Sequence, residues 1–597
     1  MNKYKYIIEL YNSKTGFLRS KIFYLVLLFN ILYNHNTLYS QSFYPYLQLG
    51  FGSTSSDGIP VLASDPSENI YIAENFNAEP IIGTQHIPIN SPKAMIITKL
   101  NSSGNIQWIQ KIGSSTAINV KSIKWKDGFV YVGGTFNLRL FYVNEFGEND
   151  IMNSKGFYDI FIFKYTENGE YVSSFSIGDS KNNELSKMDL IEDDLILTGS
   201  FSGDFTLHNT KTTEDFTLTW MGFDEYCKDI FLIRIDQEGD CVWAKRGGGY
   251  DDDDVFNMYV FNNEIYLTGY FYSKTNFNTP SHSFSNTLSP VGYMDIFLAK
   301  YDQYGNPHWV RRAGSTYTGI EIDLLDLSIR EYGSGLFVNQ LGVFLTGCSF
   351  SNCNFNTPYD NNSNTILEKD GNFLAFYDFD GTFKWAKDLN ILGVDSKIQI
   401  SGNSNYLGIV CPYKGSLSLH SAELNDTIIF PNMINTNLFV GYYDFYGNFI
   451  NGNSFGSTST DEAGSILLTE NQLHVASKFS DKLYVYEKLN QVELLTSYGN
   501  FDGYLLSYHL PNHPVDTVTP TIKAHLFPNP ASEYIYISTY PELTSSKYTI
   551  FDVMGRALES GIVDNSYKQI NLTNYTSGLY YVRIYSEKPK TFPFIKN

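Results

Sequence analysis

The sequence is poor in cysteine and in positive charge. Five cysteines in 597 residues exclude a disulfide framework. Cys348 and Cys353 are close enough in sequence to close a short hairpin outside the cell, with small buried core positions as the alternative. Lysine and arginine total 42 against 63 aspartate and glutamate, a net charge of −21. Because such a chain repels phosphate backbones, nucleic acid is excluded as a partner.

Signatures of catalysis and of metal binding are also missing. The ten histidines are scattered without a His-x-His or His-Glu-x-x-His pattern, and no Gly-x-Ser-x-Gly turn is present. The sequence therefore favours a protein that is not an enzyme and has no cofactor. One local exception is the acidic run Asp251, Asp252, Asp253 and Asp254, whose carboxylates could hold Ca²⁺. A solvated acidic turn is the alternative, because the EF-hand spacing is absent.

Long hydrophobic runs are confined to the N-terminus. Lys14, Arg19 and Lys21 precede a mostly apolar run at residues 22–32, and a polar stretch then ends at Ser40. This order is typical of a secretory signal peptide, and the run is too short to cross a bilayer comfortably. We expect residues 1–40 to be a cleaved signal peptide, with a mis-set start or an uncleaved anchor as alternatives. No later stretch predicts a membrane helix in the mature chain.

Aromatic residues are abundant and belong to a long repeat. The 46 Tyr and 44 Phe favour β structure over helix. In the clearest copy, a strand begins at Asp295, a tight turn uses Gly305, and Trp309 opens the next strand. Copies begin at Ala94, Asp159, Asp229, Asp295, Gly371, Asn437 and Asp502. A regular period of 65 to 76 residues indicates a stacked or ring-like array of four-stranded units.

The two ends of the repeat region predict how the array closes. The copy at Asp502 stops after one strand, and the Gly-Ser-Thr-Ser-Ser-Asp at residues 52–57 matches residues 456–461. The remainder of the last copy would then lie at the start of the mature chain, which hides strand edges. We expect an all-β fold in which residues 41–510 form a seven-bladed β-propeller with one blade closed by both chain ends. An open solenoid of sheets is the alternative.

The repeat resembles a bacterial β-propeller repeat family. That family's motif runs Asp-Ile-Phe-Val-Ala-Lys-Tyr-Asp, then Gly, then Trp-Ala-Lys, and residues 229–245 and 295–309 match it best. The resemblance covers roughly residues 42–512. It implies an exported propeller and no shared catalytic residues. The copies at Gly371 and Asn437 depart from the motif because they lack the opening aspartate.

The C-terminal part carries a second resemblance. Prolines predict an extended linker at residues 511–524, and short alternating strands predict a small Ig-like β-sandwich after it. Residues 525–597 resemble the type A C-terminal sorting domain of type IX secretion. The motif positions are Pro528, Asn529, Pro530, Asp552, Gly555, Arg556, Gly578, Leu579 and Tyr580. The resemblance implies recognition by the type IX machinery, Sec export in a Gram-negative bacterium, and a product released or anchored at the outer-membrane surface after the domain is removed.

These features favour a secreted or cell-surface-anchored binding or adhesion protein with a glycan or protein ligand. Candidates for stacking on sugars, with blade core as their alternative role, are Tyr270, Tyr272, Tyr301 and Tyr304. The second hypothesis is a polysaccharide lyase or hydrolase that uses carboxylates around the propeller channel. An insertion between Gly314 and Phe344 supplies Glu321, Asp323 and Asp326. A structural envelope component is the third hypothesis.

Overall fold

The structure is a computed structural model in which every described regular element is a β-strand. It describes residues 43–596 except 213, 225, 278–286, 316–330, 350–352, 356–365, 368–369, 392–396, 422–425, 458, 460, 488–489, 512–522, 528–530, 532–533, 541–545, 554, 564–566 and 586–589. The predicted signal peptide, most of the predicted linker and the acidic insertion residues Glu321, Asp323 and Asp326 lie outside this part. Within it the all-β prediction is confirmed, and no helix is long and apolar enough to span a membrane.

Seven sheets share one antiparallel four-strand pattern. Sheet 1 contains Val61–Ser64, Ile70–Phe76, Lys93–Leu100 and Ile106–Ser114. Sheet 2 contains Ile118–Lys126, Phe129–Phe136, Asp159–Thr166 and Tyr171–Ile177. Sheet 3 contains Asn182–Ile191, Asp194–Ser202, Asp229–Ile235 and Cys241–Gly247. Sheet 4 contains Asp253–Phe261, Glu264–Phe271, Asp295–Tyr301 and Pro307–Ala313. Sheet 5 contains Tyr332–Asn339, Gly342–Ser349, Gly371–Tyr377 and Phe383–Asp388. Sheet 6 contains Gln399–Gly402, Leu407–Ser421, Asp426–Tyr443 and Phe449–Gly456. Sheet 7 contains Ser465–Leu468, Gln472–Phe479, Asp502–His509 and Leu47–Gly52.

The first strands of the seven sheets follow one another in a closed order. Each contacts the first strand of the next sheet, and the first strand of sheet 7 contacts that of sheet 1. The hydrophobic cores lie between neighbouring sheets, as where Tyr71 of sheet 1 packs in one cluster with Phe163 of sheet 2. Each sheet therefore buries both of its faces, which explains why the third strands are apolar on both sides.

Both ends of the repeat region meet in sheet 7. Leu47–Gly52 pairs antiparallel with Asp502–His509, so that Leu49 lies opposite Leu505 and Phe51 opposite Gly503. The strand that begins each repeat is the third strand of its sheet, so sheet 7 takes three strands from the C-terminal side and one from the N-terminal side. The sequence interpretation, with one strand from the C-terminal side and the remainder from the N-terminal side, is wrong on this point. A repeating sequence does not show which of its strands is the first of each sheet. Only the pairing of the strands at the two ends of the repeat region determines this.

Short hairpins are inserted between the second and third strands of most sheets. They are Ile81–Ile82 with Gln85–His86, Arg139–Val143 with Asn149–Asn153, Phe205–His208 with Asp215–Leu218, Thr275–Asn276 with Thr287–Leu288, Cys353–Asn354 with Ile366–Leu367, and Lys482–Glu487 with Asn490–Thr496. The first, second and last of these pair with the fourth strand of the preceding sheet. They therefore cover a strand edge that would otherwise remain unpaired.

The turn glycine and the tryptophan of the repeat meet between neighbouring sheets. Gly305 has a φ of 75°, and a Cβ atom there would lie 2.8 Å from the ring of Trp243 in the preceding sheet. The indole Nε1 of Trp243 donates to the carbonyl oxygen of Gln303 at 3.1 Å. Similar ring-to-glycine contacts join Trp108 to Gly169, Trp309 to Gly381, and Trp385 to Gly447. Sheet 2 lacks the tryptophan at Ser173, and Phe175 packs on Gly239 instead.

The five cysteines are buried and form no disulfide. Cys348 packs with Met294 and Tyr332, and Cys353 lies in a separate core cluster with Phe355. Burial raises the pKa of the Cys353 thiol well above its usual value. Cys348 and Cys353 are therefore not bridged, and both occupy the small core positions that were the alternative.

The C-terminal part contains two further antiparallel sheets. One consists of Lys523–Phe527, Tyr534–Tyr540 and Tyr567–Asn571, and the other of Ala557–Val563, Ser546–Asp552, Gly578–Tyr585 and Lys590–Lys596. Residues of both sheets share one hydrophobic core that includes Ile537, Ile550 and Val582. The two sheets thus bury one face each against the other.

Candidate functional site

The first strands of the seven sheets surround a central cavity of about 310 Å³. Every sheet contributes to its lining, which includes Val61, Ser122, Lys187, Asn257, Leu336, Gln399 and Ser465. The volume falls at the lower end of the range of small-molecule sites. Among the described residues that line it, the side chains are apolar, hydroxyl, amide or lysine, and none is a carboxylate.

Lysines from two sheets line this cavity, and one lysine from a third sheet lies close enough to affect them electrostatically. Lys121 and Lys124 come from the first strand of sheet 2, and Lys187 from that of sheet 3. Lys397 precedes the first strand of sheet 6. Burial lowers the pKa of Lys187 to about 8, and the charges of Lys124, Lys397 and Lys121 lower it further against the opposing effect of Asp189. The cluster is locally cationic in a chain whose net charge is −21.

Only one of these lysines has a carboxylate partner within ion-pair distance among the described residues. Lys124 Nζ lies 2.9 Å from the Oδ2 atom of Asp189 in the next sheet. Lys397 Nζ instead lies 3.5 Å from the ring centroid of Phe256, a cation–π contact. The cluster thus leaves cationic groups available to a ligand.

An aromatic line runs from Lys397 to the surface through sheet 4. It consists of Phe256, Tyr270, Tyr272 and Tyr293, whose successive ring centroids lie 5.3, 5.5 and 5.2 Å apart. Phe256 is the extra residue of a bulge in the first strand of sheet 4 and also packs on Tyr332 at 5.5 Å. Tyr293, at the far end, is 66% exposed. The line therefore connects solvent with the lysine cluster.

The acidic run borders the same region, but its four carboxylates do not converge. Asp253 is buried and accepts hydrogen bonds from Gly249 N at 2.7 Å and Thr275 Oγ1 at 2.9 Å. Asp252 accepts from Tyr270 Oη at 2.6 Å and from the backbone nitrogen of Lys228 at 3.2 Å. Successive strand residues point to opposite faces, which separates Asp253 from its neighbours. Within the described ranges, no group of three or more His, Cys, Asp or Glu is placed to hold a metal ion.

Asp254 belongs to the lysine cluster. Burial raises the pKa of its carboxyl, while Lys228 and Lys397 oppose the shift. Lys228 Nζ also lies 3.8 Å from Glu184 Oε2, so that positive and negative groups lie side by side here. These groups are suited to bind a ligand that has both hydroxyl groups and a negative charge.

The predicted tyrosines divide between this site and other places. Tyr270 and Tyr272 belong to the aromatic line, whereas Tyr301 is buried in the core between sheets. Tyr304 is 60% exposed in the turn after the third strand, at the opposite end of the sheet. Sequence reasoning missed Lys187. At the equivalent position, directly after the bulge in the first strand, sheets 2 and 4 carry Ser122 and Asn257. A lysine at a position otherwise small or neutral was the available signal.

Sheets 7 and 1 enclose a second unusual group, the buried carboxylate of Glu74. Equivalent positions in sheets 2, 3 and 4 carry Gly134, Gly199 and Gly269. Neither oxygen of Glu74 has a hydrogen-bond partner among the described residues, and the residue is 1% exposed. Its carboxylate packs on Gly503, where a Cβ atom would lie 2.2 Å from Oε1.

Burial raises the pKa of Glu74 well above its usual value, and the charges of Asp57 and Asp502 add to the shift. Burial also raises the pKa of Asp57 to about 6 and that of Asp502 to about 7. Three carboxyl groups therefore meet where both ends of the repeat region close sheet 7. Their proton uptake links this junction to pH.

The sorting-domain residues surround a cleft of about 650 Å³ in the C-terminal part. Asp552 accepts from Arg556 Nε at 2.7 Å and from Arg556 N at 2.9 Å, and Gly555 turns the chain between them with a φ of 78°. Tyr580 Oη donates to the carbonyl oxygen of Thr576 at 2.7 Å. The cleft brings together Asp552, Arg556, Gly578, Leu579 and Tyr580. Pro528, Asn529 and Pro530 lie outside the described residues.

Comparison with protein families identifies this C-terminal part. Residues 525–595 match the family described as the secretion system C-terminal sorting domain, a span that includes every predicted motif position. The type IX sorting tail implies interaction with the type IX machinery and secretion to the cell surface or the medium. A comparison with curated protein sequences finds no match.

Solved structures give low similarities over most of the chain. The subtype N10 neuraminidase-like protein of strain A/little yellow-shouldered bat/Guatemala is 8% identical with a TM-score of 0.30, over 78% of this chain and 99% of that one. The endosialidase of phage phi92 is 9% identical with a TM-score of 0.31, over 92% and 87%. PorZ of Porphyromonas gingivalis, a surface component of the type IX system, is 9% identical with a TM-score of 0.16, over 92% and 100%. Similarities this low do not bear on function.

Proposed function

We propose that the chain is a β-propeller binding or adhesion protein, secreted or anchored at the cell surface and exported by the type IX route. The observation that carries the proposal is the sorting domain at residues 525–595. A seven-bladed propeller is supported by the closed order of the first strands and by the shared sheet 7. The tail is then an Ig-like sandwich that is removed during export.

The route begins, in this proposal, with residues 1–40 as a Sec signal peptide in a Gram-negative bacterium. The type IX machinery then recognises the C-terminal cleft, in which Asp552 and Arg556 form a rigid turn. The mature protein finally stands at the outer-membrane surface or leaves the cell. The calcium site at residues 251–254 stays a prediction, and the separation of these carboxylates weighs against it.

Binding is preferred to catalysis because of the cavity lining. Glycoside-cleaving enzymes commonly use two carboxyl groups that flank the scissile bond. The described lining residues provide lysine, amide and hydroxyl groups instead. A polysaccharide lyase or hydrolase remains the alternative function, and release of reducing or unsaturated ends from polysaccharides by the exported protein would favour it.

Export is tested by removing residues 525–597 in a bacterium that has a type IX system. We expect the full chain at the surface or in the medium and the truncated chain in the periplasm, because the truncated chain lacks the sorting domain. As a matched control, residues 511–597 fused to a periplasmic reporter should carry the reporter out of the cell. Export of the truncated chain in undiminished amount would overturn the proposal.

A further inference from the structure

The aromatic line continues into an exposed aromatic surface on the adjoining loops. Phe223, Tyr250 and Tyr293 are 68%, 66% and 66% exposed. Phe223 N donates to the carbonyl oxygen of Tyr250 at 3.2 Å, and Tyr250 N donates to Ser273 Oγ at 3.1 Å, next to Tyr272. Clustered exposed aromatic side chains mark interaction sites more often than scattered ones do. Flat rings of this kind offer apolar faces to a ligand that is itself partly polar.

The inner end of the line is cationic, and two of its lysines have no partner. Among the described residues, the side chains of Lys121 and Lys187 form no hydrogen bond and no ion pair. Lys397 adds a third positive charge above Phe256. Placing like charges close together in a confined space is unfavourable, and an anionic group between them would relieve it. The arrangement therefore fits a ligand whose negative charge enters the cavity mouth.

The acceptors beside the lysines narrow the ligand class further. The carboxylates of Asp252 and Asp254 can accept hydrogen bonds from hydroxyl groups. A sugar unit has hydroxyl groups at its edge and an apolar face that can lie on an aromatic ring. A polyanion such as nucleic acid would be repelled by a chain of net charge −21, whereas one charged sugar at the end of a glycan meets the local lysines.

We propose that this mouth, formed by Lys121, Lys187, Lys397 and the aromatic line, binds the acidic end of a glycan that carries a carboxylate or a sulfate. The proposal rests on the proposed function as a binding protein and names the ligand class and the place. The sugar chain lies along Tyr272 and Tyr293, and its charged unit reaches the lysines. The cavity of about 310 Å³ is of a size for a short terminal portion and not for a long segment.

The test measures binding by the full chain recovered after export. The probes are dextran oligosaccharides that end in one uronic acid for carboxylate, the same oligosaccharides that end in one sulfated sugar for sulfate, unmodified neutral dextran oligosaccharides, and oligothymidylate. We expect acidic oligosaccharides to bind, neutral ones to bind at least about tenfold more weakly, and affinity to fall with added salt, because charge-assisted hydrogen bonds supply much of the interaction. Comparison of the carboxylate and sulfate probes distinguishes the two anions.

Two variants and their controls locate the site. The double substitution Lys187→Gln with Lys397→Gln should lower the affinity for the acidic probe at least about tenfold and flatten its salt dependence. Tyr293→Ala should weaken binding of acidic and neutral probes alike. Tyr304→Ala and Lys384→Gln, exposed residues at the opposite end of the strands, should leave binding unchanged. Since Tyr293 is largely exposed, its variant keeps the test interpretable even if the lysine variant fails to fold.

The outcomes separate this proposal from the proposed function. Binding only to neutral glycans or to a protein would overturn the acidic-glycan proposal and leave the binding function in place. Equal binding of oligothymidylate and of the acidic oligosaccharides would also overturn it. Unchanged affinity in both the lysine and the Tyr293 variants would place the ligand elsewhere on the molecule. Failure of export, measured independently above, would count against the proposed function itself.

Discussion

At the scale of single residues, the tryptophan of a repeat contacts the turn glycine of the next sheet in four copies, those with Trp108, Trp243, Trp309 and Trp385. This contact explains why these copies carry both residues. The glycine serves two needs, because it takes a positive φ and lets the indole ring approach the backbone. At Gly128, by contrast, φ is 82° but no atom lies within 4 Å of the Cβ position. A substitution at Gly128 therefore measures the cost of the positive φ alone, whereas one at Gly305 adds the cost of crowding against the indole ring.

We expect Gly305→Ala to lower the free energy of unfolding by about 2–4 kcal/mol and Gly128→Ala by only about 1 kcal/mol. Both variants strain the backbone, but only the first pushes a methyl group into the Trp243 ring, 2.8 Å away. Thermal melting of the two variants beside the parent chain measures the difference. Equal destabilisation would show that the ring contact has no energetic weight.

Glu74 makes the junction of sheets 7 and 1 sensitive to pH. A carboxyl group whose pKa is raised in the folded state contributes stability that is present below its ordinary value of 4.5 and is lost as pH rises through the folded value. The folded pKa of Asp57 is about 6 and that of Asp502 about 7, both raised from an ordinary value of 3.8, so the loss from these two groups falls between about pH 4 and pH 7. Burial raises the pKa of Glu74 well above 4.5, so the loss from this group also begins above that pH.

The substitution Glu74→Gln tests this directly. Glutamine keeps the shape and cannot lose a proton, so we expect the variant to gain stability relative to the parent, by on the order of 1 kcal/mol, as pH rises from 4.5 to about 9. Melting temperatures across this range, with Glu79→Gln as an exposed control, measure the gain. A constant difference between variant and parent at all pH values would contradict the assignment.

Asp251, Asp252, Asp253 and Asp254 allow a third prediction at this scale. Because Asp253 is committed to Gly249 and Thr275, we expect chelator and added Ca²⁺ to leave the melting temperature unchanged. A specific ligand of the folded state would raise it in proportion to the logarithm of its concentration. A rise with Ca²⁺ that disappears in Asp252→Asn would establish the calcium site after all.

At the scale of strands and turns, the sequence predicted the content of the fold better than its boundaries. The third strands and the turn glycines were recognised because the pattern from Asp295 to Trp309 repeats. The positive φ of the glycine is confirmed at Gly104, Gly169, Gly239, Gly305, Gly381 and Gly447. The sequence did not predict the order of the strands within each sheet, since this order depends on pairing across the whole chain and not on a local pattern.

The candidate site was only partly readable for a related reason. Tyr270 and Tyr272 were singled out by residue type, but nothing local distinguished them from the buried Tyr301. Lys397 and Phe256 come from different sheets, 141 positions apart in the sequence, and only the closed order of the first strands brings them together. A site assembled from several sheets leaves only weak traces in any one of them.

The turn from Asp552 to Arg556 in the C-terminal part offers a prediction about export. The Arg556 side chain is 78% exposed, so Arg556→Ala removes a hydrogen bond to Asp552 at a cost of no more than about 1 kcal/mol. We expect secretion to fall strongly while the melting temperature stays nearly constant. Arg583→Ala, also exposed on these sheets, is the matched control. Normal secretion of the Arg556 variant would remove this residue from the recognition surface.

At the scale of the whole molecule, the acidic charge and the cationic cavity mouth fit together. A net charge of −21 keeps the chain soluble and discourages association with other polyanions, while the lysines concentrate positive charge at one place. The mouth exists only if all seven first strands surround it. The binding proposal therefore depends on closure of sheet 7 by both ends of the repeat region.

Hydrogen–deuterium exchange of Leu47–Gly52 tests this closure most directly. If the strand is the fourth of sheet 7, its amides should exchange as slowly as those of the fourth strand of sheet 1, Ile106–Ser114, because both donate to a neighbouring strand. The control is the same peptide in a chain that ends before Asp502, where the partner strand is missing. Slow exchange that is lost in the shortened chain is the predicted result. Fast exchange of Leu47–Gly52 in the intact protein would contradict the closed arrangement.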